Sequence, residues 1–350
     1  MSTVLSLKDV DVSLQGNPIV NSASVELAKG DILGLVGPSG CGKTTLLNVI
    51  AGFVQLTGGT ICLPNGDQAI PEKDVAPESR NVGMIFQDYA LFPHLTVKQN
   101  VTFGINKLPK DEQSERALEL LKLLSLAEHA DKYPHQLSGG QQQRVAIARA
   151  LAPQPELLLF DEPFSNIDAR LKNELIQELR ALLKSLSISA IFVTHNKDEV
   201  FSFADQMAVM HDGSILQCGA PNVIYQTPNS WQVADFLQVG NWLPVSLDEN
   251  GGKTALGEFT HCLESYQTIV NPLLLIRAHQ LEIKGQEAPN CEIKAVRSNE
   301  YGYHYVVKTL CNEEPLNVDD LSVFSRMPFS IGDKIRINML DHHVQIFSVS

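Results

Sequence analysis

The stretch that decides the fold of this chain reads Gly37-Pro38-Ser39-Gly40-Cys41-Gly42-Lys43-Thr44. It matches a Gly-x4-Gly-Lys-Ser/Thr loop, in which glycines let successive backbone N–H groups face one anion. The loop follows an apolar run, Ile32 to Val36, and precedes a run of helical periodicity, Thr44 to Gly52. Because a helix directs its positive N-terminal end at the same place, the stretch predicts a triphosphate site between a buried strand and a helix.

The side chains of this loop have separate expected tasks. Lys43 brings a mobile positive charge to the outer phosphates, and the Thr44 hydroxyl is a ligand for Mg²⁺. Thr45 is expected at the inner phosphates. The predicted phosphate-binding set is therefore Gly37, Pro38, Ser39, Gly40, Cys41, Gly42, Lys43, Thr44 and Thr45.

Two further apolar runs end in residues that carry chemistry. Asp161 and Glu162 end the run that starts at Leu157, and two carboxylates there are costly unless a cation or a reaction uses them. The alternative is that the acids only mark the end of a strand. His195 follows the run from Ile191, where an isolated histidine is more often a structural group than a catalytic one.

A pentapeptide lies between the loop and the acid pair and reads Leu137-Ser138-Gly139-Gly140-Gln141. A Gly-rich turn that opens a helix can cap a triphosphate that is held elsewhere. Together with the loop and the acid pair, it resembles the ABC-type ATPases over the N-terminal part of the chain. This resemblance implies an α/β P-loop NTPase fold, an ABC ATPase core with an inserted helical subdomain, ATP and Mg²⁺ as cofactors, and ATP hydrolysis as the activity.

The resemblance also implies roles for individual residues. Asp161 assists Mg²⁺ through water, and Glu162 orients and activates the attacking water. Gln87 follows the strand-like run Val82 to Phe86 and matches the family's glutamine, a ligand that reaches both Mg²⁺ and the water. His195 matches the histidine that touches the terminal phosphate.

The family places the loop and the pentapeptide of one chain in different halves of a composite site. Two copies pack head to tail, and each nucleotide lies between the Lys43 loop of one copy and the Ser138 turn of the other. We therefore expect an ATP-dependent homodimer. The resemblance assigns these residues to the second half of the site: Ser138, Gly139, Gly140, Gln141 and Asp168, the last of which lies in the segment that crosses the dimer interface.

The adenine position departs from the family pattern. Many relatives stack adenine on an aromatic side chain, and by spacing from Gly37 the matching residue is Leu14. Leu14 can still cover one face of the base by apolar contact, but a stacking gain of about 0.5–1.5 kcal/mol is absent. We therefore expect loose discrimination between bases.

The pattern of helical and strand-like runs predicts two domains. Residues 1–238 form the ABC ATPase domain, with the helical subdomain at about 89–152. Residues 239–350 form a small all-β, barrel-like domain, interpreted as regulatory. Its expected strands are Leu273 to Arg277, Glu292 to Arg297, Tyr303 to Leu310, Lys334 to Leu340 and Val344 to Val349.

Bulk properties exclude several classes of function. A net charge of -13 and a pI near 5.2 argue against nucleic acid as a partner, since phosphate backbones attract basic surfaces. The 6 cysteines are scattered without the spacing of a zinc site, which indicates a reducing cytoplasm. The start of the chain does not resemble a secretory signal, and no uncharged apolar run is long enough to cross a bilayer. At a membrane, another protein would have to anchor the chain.

The segment Phe86 to Val97 resembles the importer class, in which the neighbouring groove receives a short helix from each membrane subunit. The appended β domain also favours importers. The implied partners are two integral membrane permeases and a solute-binding protein that acts through them, with this chain peripheral on the cytoplasmic face of the inner membrane.

The C-terminal part of the chain carries the signals for the transported solute. The stretches Val239 to Val245 and Leu273 to Arg277, together with the total length, resemble ferric-iron importers most. Polyamine, sugar and sulfate importers are alternatives. For the cellular function as a whole, the alternatives are an exporter subunit and a soluble ABC ATPase that acts on ribosomes or DNA.

Overall fold

The computed structural model describes residues 2–165, 167, 169–248, 251–260, 270–311, 313, 316–340 and 344–348. The chain divides into two compact units, Met1–Thr227 and Pro228–Ser350. The boundary expected from the sequence was at residues 238 and 239, where strand-like patterns begin. The earlier division reflects a short helix at Trp231–Phe236, whose Asp235 accepts a hydrogen bond from the Trp242 indole at 3.3 Å within the second unit.

The first unit alternates strands and helices. Its strands are β1 (Thr3–Leu14), β2 (Asn17–Ala28), β3 (Ile32–Val36), β4 (Gly58–Cys62), β5 (Gln68–Ala69), β6 (Val82–Ile85), β7 (Leu157–Asp161), β8 (Ser189–Thr194), β9 (Gln206–His211) and β10 (Ser214–Gly219). Its helices are α1 (Lys43–Ala51), α2 (Val97–Thr102), α3 (Lys110–Leu123), α4 (Gly139–Leu151), α5 (Ala169–Ser185), α6 (Lys197–Phe203) and α7 (Pro221–Gln226).

A six-stranded sheet in the order β10-β9-β3-β8-β7-β6 forms the centre of the first unit. All neighbours are parallel except β10, which is antiparallel to β9. The central strand β3 is buried along its whole length, as expected for a parallel sheet covered on both faces. Since the carboxyl ends of parallel strands meet at one edge, the sheet brings together the segments that follow β3, β6, β7 and β8. A second, antiparallel sheet has the order β2-β1-β4-β5.

The helices α2, α3 and α4 lie in the chain between β6 and β7, where the sequence predicts a helical subdomain. Helix α4 begins with a capping box. Ser138 Oγ accepts from the Gln141 backbone N–H at 3.4 Å, and Gln141 Oε1 accepts from the Ser138 N–H at 2.9 Å. This exchange satisfies two backbone donors that a helix start leaves unpaired.

A fully buried arginine binds the C-terminal end of helix α1, the end away from the phosphate loop. Arg80 donates to the carbonyls of Val49 at 2.6 Å and Ile50 at 2.9 Å, and it pairs with Asp74 at 2.5 Å. The last carbonyls of a helix have no partner within the helix. The Val49 carbonyl also accepts from the Gly52 N–H at 3.2 Å, and the guanidinium supplies the further donors. Arg80 therefore fixes the helix that carries the phosphate loop.

We expect Arg80→Met to destabilise the first unit by about 3 kcal/mol, because it leaves Asp74 without its cation and the Ile50 carbonyl without the guanidinium. Both tryptophans of the chain, Trp231 and Trp242, lie in the second unit. Urea unfolding followed by far-UV circular dichroism reports mainly on the helices of the first unit, and tryptophan fluorescence reports on the second.

The matched control for Arg80→Met is Lys29→Met. It removes an exposed ion pair with Glu156, and exposed pairs contribute about 0–1 kcal/mol. A circular dichroism midpoint that moves no further in Arg80→Met than in this control would contradict the role of Arg80.

Among its described residues, the second unit contains the α-helix α8 (Trp231–Phe236), a short 3-10 helix at Ala278–Gln280, and antiparallel strands. These are β11 (Asn241–Pro244), β12 (Ser246–Asp248), β13 (Gly251–Thr254), β14 (Gly257–Thr260), β15 (Pro272–Ile276), β16 (Leu281–Gly285), β17 (Cys291–Asn299), β18 (Gly302–Thr309), β19 (Leu321–Ser325), β20 (Lys334–Met339) and β21 (Gln345–Ser348). They form sheets in the orders β11-β15-β21, β12-β13-β14 and β16-β20-β17-β18-β19. The expected small β domain is confirmed, with its five predicted strands at β15, β17, β18, β20 and β21.

In the part of the chain that the structure describes, no helix combines the length and the apolar character that a membrane span requires.

Candidate functional site

The loop Gly37–Thr44 makes two backbone approaches that only glycine permits. A Cβ on Gly37, where φ is 156°, would lie 2.0 Å from the carbonyl oxygen of Met210. A Cβ on Gly42, where φ is 101°, would lie 2.7 Å from the carbonyl oxygen of Ile19. The glycines in the motif are thus required by close contacts on both sides of the loop.

The Lys43 side chain is folded back over this loop and is buried. Its ammonium donates to the carbonyl oxygens of Gly37 at 2.9 Å and Pro38 at 2.7 Å, and it lies 3.6 Å from the Cys41 sulfur. These acceptors are neutral, and phosphate oxygens form stronger, charge-assisted bonds with an ammonium. The lysine is therefore held where an anion in the loop can take over its hydrogen bonds.

The hydroxyl of Thr44 faces the end of strand β7. Thr44 Oγ1 donates to Asp161 Oδ1 at 3.2 Å. Burial raises the pKa of Asp161, and the charge of Glu162 adds to this, while the Thr44 hydrogen bond and the Lys43 charge lower it. Since burial has the largest effect, the Thr44 hydrogen bond and the Lys43 charge do not fully offset the cost of burying this charged carboxylate.

Glu162 lies at the centre of the predicted catalytic group. Gln87 Nε2 donates to its Oε2 at 3.4 Å, and His195 Nδ1 lies 3.2 Å from its Oε1. Its backbone is left-handed, with φ of 46°, and its N–H donates to the Val193 carbonyl at 3.1 Å. A non-glycine residue in this region costs about 1–3 kcal/mol and often marks a functional site. The structure thus brings Gln87, Glu162 and His195 together, as the sequence predicts.

The pentapeptide glycines have no such contacts within the chain. Gly139 and Gly140 lie at the start of helix α4, and a Cβ built on either one meets nothing within 4 Å among the described residues. Glycine in a helix costs about 0.5–1 kcal/mol relative to alanine. The chain itself therefore gives no reason for glycine at these two positions.

The side chain of Gln141 is engaged within the chain. Besides the bond from Ser138 N–H to its Oε1, its Nε2 lies 3.0 Å from His129 Nε2. Both ends of the amide thus help to fix the start of α4. The sequence predicted Gln141 as a nucleotide-binding residue and gave no signal for this contact with His129.

Leu14 ends strand β1 and pairs with Asn17 across the turn to β2. Its side chain is 41 % exposed, and Ile19 on the same hairpin lies against Gly42 of the loop. The position is therefore accessible and belongs to a hairpin that contacts the phosphate loop. The other predicted interface residue, Asp168, lies outside the described residues.

A buried carboxylate that the sequence did not single out supports the histidine. Glu199 Oε2 accepts from Thr194 Oγ1 at 2.6 Å, and Thr194 Oγ1 accepts from the Asn196 N–H at 3.0 Å. Glu199 also forms an ion pair with Lys172 on α5. The residues on both sides of His195 are thus fixed by one hydroxyl. Only the packing of α5 against α6 reveals this network.

Comparison with known proteins identifies the family. A family model described as ABC transporter matches residues 20–165. The chain is 42% identical over 257 residues to the Fe(3+) ions import ATP-binding protein FbpC 2 of Haemophilus influenzae, which covers 73% of this chain and 72% of that protein. This chain belongs to the ATP-binding proteins of ABC transporters of the importer class. The ABC ATPase is also 42% identical over 251 residues to the spermidine/putrescine import ATP-binding protein PotA of Nitratidesulfovibrio vulgaris, covering 71% of this chain and 67% of that protein.

A solved structure supports the fold of the ABC ATPase. It is a dimeric ATP-binding cassette in a post-hydrolysis state, bound to ADP and Pi, with a TM-score of 0.55 and 29% sequence identity. The match covers 62% of this chain and 99% of that chain. The expected ABC ATPase core and the expected importer-class resemblance are therefore both confirmed.

Proposed function

We propose that this chain is the ATP-hydrolysing, energy-coupling subunit of a membrane ABC importer. The observation that carries the proposal is the convergence of Glu162, Gln87 and His195 beside the Thr44–Asp161 pair at one edge of the sheet. These groups come from the ends of different strands, and a purely structural cluster has no need for two adjacent carboxylates there. The names of the related import proteins agree with this function.

The loop residues fit a nucleoside triphosphate. We assign the phosphates to the backbone of residues 37–42 and to Lys43, with Thr45 at the inner phosphates. Thr44, Asp161 and Gln87 offer hydroxyl, carboxylate and amide oxygens, which are the hard donors that Mg²⁺ prefers. When bound, Mg²⁺ neutralises charge on the phosphates.

Hydrolysis needs an attacking water and a group that takes its proton. Glu162 is the proposed base, and its two oxygens are held in place by the Gln87 amide and the His195 imidazole. The water oxygen forms a bond to the terminal phosphorus, the bond to the bridging oxygen breaks, and the products are ADP and phosphate. His195 is assigned to the terminal phosphate, where positive or polar groups stabilise developing charge.

We further propose that the working site is shared between two copies of the chain. Gly139 and Gly140 are unexplained within one copy, and glycine is expected where another group must approach the backbone closely. The proposed approaching group is the triphosphate held by the other copy, with Ser138, Gln141 and Asp168 at the same interface. The dimeric state of the solved cassette agrees with this arrangement.

Leu14 provides a test of where adenine binds. We expect Leu14→Tyr to lower the KM for ATP by about 2- to 10-fold, because a ring adds a stacking gain of about 0.5–1.5 kcal/mol. The KM for GTP should fall less. The control is Leu118→Tyr, which alters a similarly exposed leucine on helix α3. If Leu14→Tyr changes neither KM, adenine binds elsewhere.

For the cargo we propose ferric iron, with a polyamine as the second candidate because both import functions occur among the relatives. The proposed partners are two permeases and a solute-binding protein that acts through them, with this chain peripheral at the cytoplasmic face of the inner membrane. Uptake of labelled ferric iron and of labelled spermidine in cells that lack this chain tests the assignment. Wild-type protein should restore one of the two, and Lys43→Ala should restore neither.

A further inference from the structure

The backbone directly after Gln87 is held in an unfavourable conformation. Tyr89 has φ of 63° and Ala90 has φ of 44°, so two consecutive non-glycine residues are left-handed. Such residues persist only where the surroundings impose the conformation. The turn at Tyr89 and Ala90 must therefore be held by contacts from elsewhere in the fold.

Arg149 supplies those contacts. Its guanidinium donates to the carbonyl oxygen of Tyr89 at 2.8 Å and to that of Ala90 at 2.5 Å. The same group lies over the ring of Phe92, 5.5 Å from its centroid. A guanidinium has a rigid, planar set of donors, so it can hold two adjacent carbonyls at once.

The charge environment agrees with a fixed position for this side chain. Burial lowers the pKa of Arg149, and the nearby charge of Asp88 acts in the opposite direction. Asp88 also accepts a hydrogen bond from the Ala90 N–H at 3.1 Å. The turn is thus held by Arg149 at the carbonyls of Tyr89 and Ala90 and by Asp88 at the Ala90 N–H.

Further contacts tie the same segment to the helices. Asn100 on α2 is fully buried, accepts from the Phe92 N–H at 2.8 Å and donates to the Phe92 carbonyl at 3.1 Å. Arg149 lies near the end of α4, the helix that Ser138 caps at its start. Gln87, in contrast, reaches Glu162 at the edge of the sheet. The turn therefore connects the helices to the catalytic edge.

We propose that Arg149 is a positioning residue that fixes the turn after Gln87 and thereby sets the position of the Gln87 amide relative to Glu162. Because Ser138 caps the start of α4, a displacement of that helix would move Ser138 and, through Arg149, Gln87. The inference rests on the role proposed above for Gln87.

The test is a double-mutant cycle on ATP hydrolysis by the full chain. Arg149→Met should lower kcat about 10-fold with the KM for ATP changed by less than about 2-fold, because the turn relaxes while the phosphate loop is intact. The kcat of Arg149→Lys should lie between those of the wild type and Arg149→Met, since an ammonium lacks the planar set of donors of a guanidinium. In a Gln87→Ala background, Arg149→Met should cost less than about 2-fold, because its effect passes through Gln87.

Arg144→Met is the matched control. Arg144 lies on the same helix and pairs at 2.6 Å with Glu178, so its loss should leave kcat unchanged. An equal fold-loss of kcat from Arg149→Met in the wild-type and Gln87→Ala backgrounds would overturn the inference. A raised KM for ATP at normal kcat would also overturn it. If Arg149→Met fails to fold by circular dichroism, Arg149→Lys is compared in the same two backgrounds. If Gln87→Ala itself leaves kcat unchanged, the proposed role of Gln87 fails; if it lowers kcat and Arg149→Met does not, only the inference about Arg149 fails.

Discussion

The Glu162→Gln variant is expected to bind ATP, to hydrolyse it at least about 100-fold more slowly than the wild type, and to accumulate as a dimer when ATP is present. The amide has the size and shape of the carboxylate and can keep the contacts with Gln87 and His195, but it cannot take a proton from water. ATP then persists at the interface between copies. Phosphate release measures turnover, and light scattering on a sizing column measures the dimer.

The control for this variant is Glu156→Gln, which changes an exposed carboxylate paired with Lys29 before strand β7. It should hydrolyse ATP at the wild-type rate and should not trap a dimer. Near-normal turnover by Glu162→Gln would falsify the assignment of Glu162 as the base. Slow turnover without an ATP-dependent dimer would instead contradict the proposal that two copies share the site.

The Gly140→Ala variant is expected to be as stable as the wild type, or more stable by about 0.5–1 kcal/mol, and yet to lose ATP turnover by about 100-fold. An alanine Cβ at this position meets no described atom of the chain, and alanine favours a helix more than glycine does. Within the proposed dimer, the same methyl group occupies the space where the partner's triphosphate would approach. ATP binding to the isolated copy should be retained, as measured by fluorescence of a labelled nucleotide.

Glu112→Ala is the corresponding control, since it places alanine in the exposed first turn of helix α3. It should leave both turnover and dimer formation unchanged. A Gly140→Ala protein that unfolds earlier than the wild type would mean that glycine serves the fold of one copy, and the argument for a shared site from Gly139 and Gly140 would be lost.

The sequence predicts most of the nucleotide-binding unit because its signals are local. The run Ile32–Val36 is a strand with the predicted bounds, and the predicted helix after it begins one residue early, at Lys43. A continuous apolar run bounded by a Gly-rich loop has few other interpretations. Parallel packing places the residues after each strand at one edge, and the resemblance to ABC ATPases assigned Gln87, Glu162 and His195 to one site before their distances were known.

Other features depend on contacts between distant segments, which periodicity does not encode. Short strands such as β12 and β13, of three and four residues, lack enough alternation to be recognised. The buried Arg80 is separated by about thirty positions from the carbonyls it holds, and no local pattern marks it. The Glu199 network and the contacts of Arg149 with the turn at Tyr89 and Ala90 also join segments that are distant in the sequence. Each becomes visible only when two helices, or a helix and a loop, are seen packed together.

The left-handed backbone at Glu162 affects how this protein can be improved. Glycine adopts that conformation without steric strain, so the position most in need of a carboxylate for hydrolysis is also one where the carboxylate-bearing residue strains the backbone. A glycine that relieves this strain would also remove the base that hydrolysis requires. Any search for a hardier version of the enzyme has to screen for catalysis in the same round.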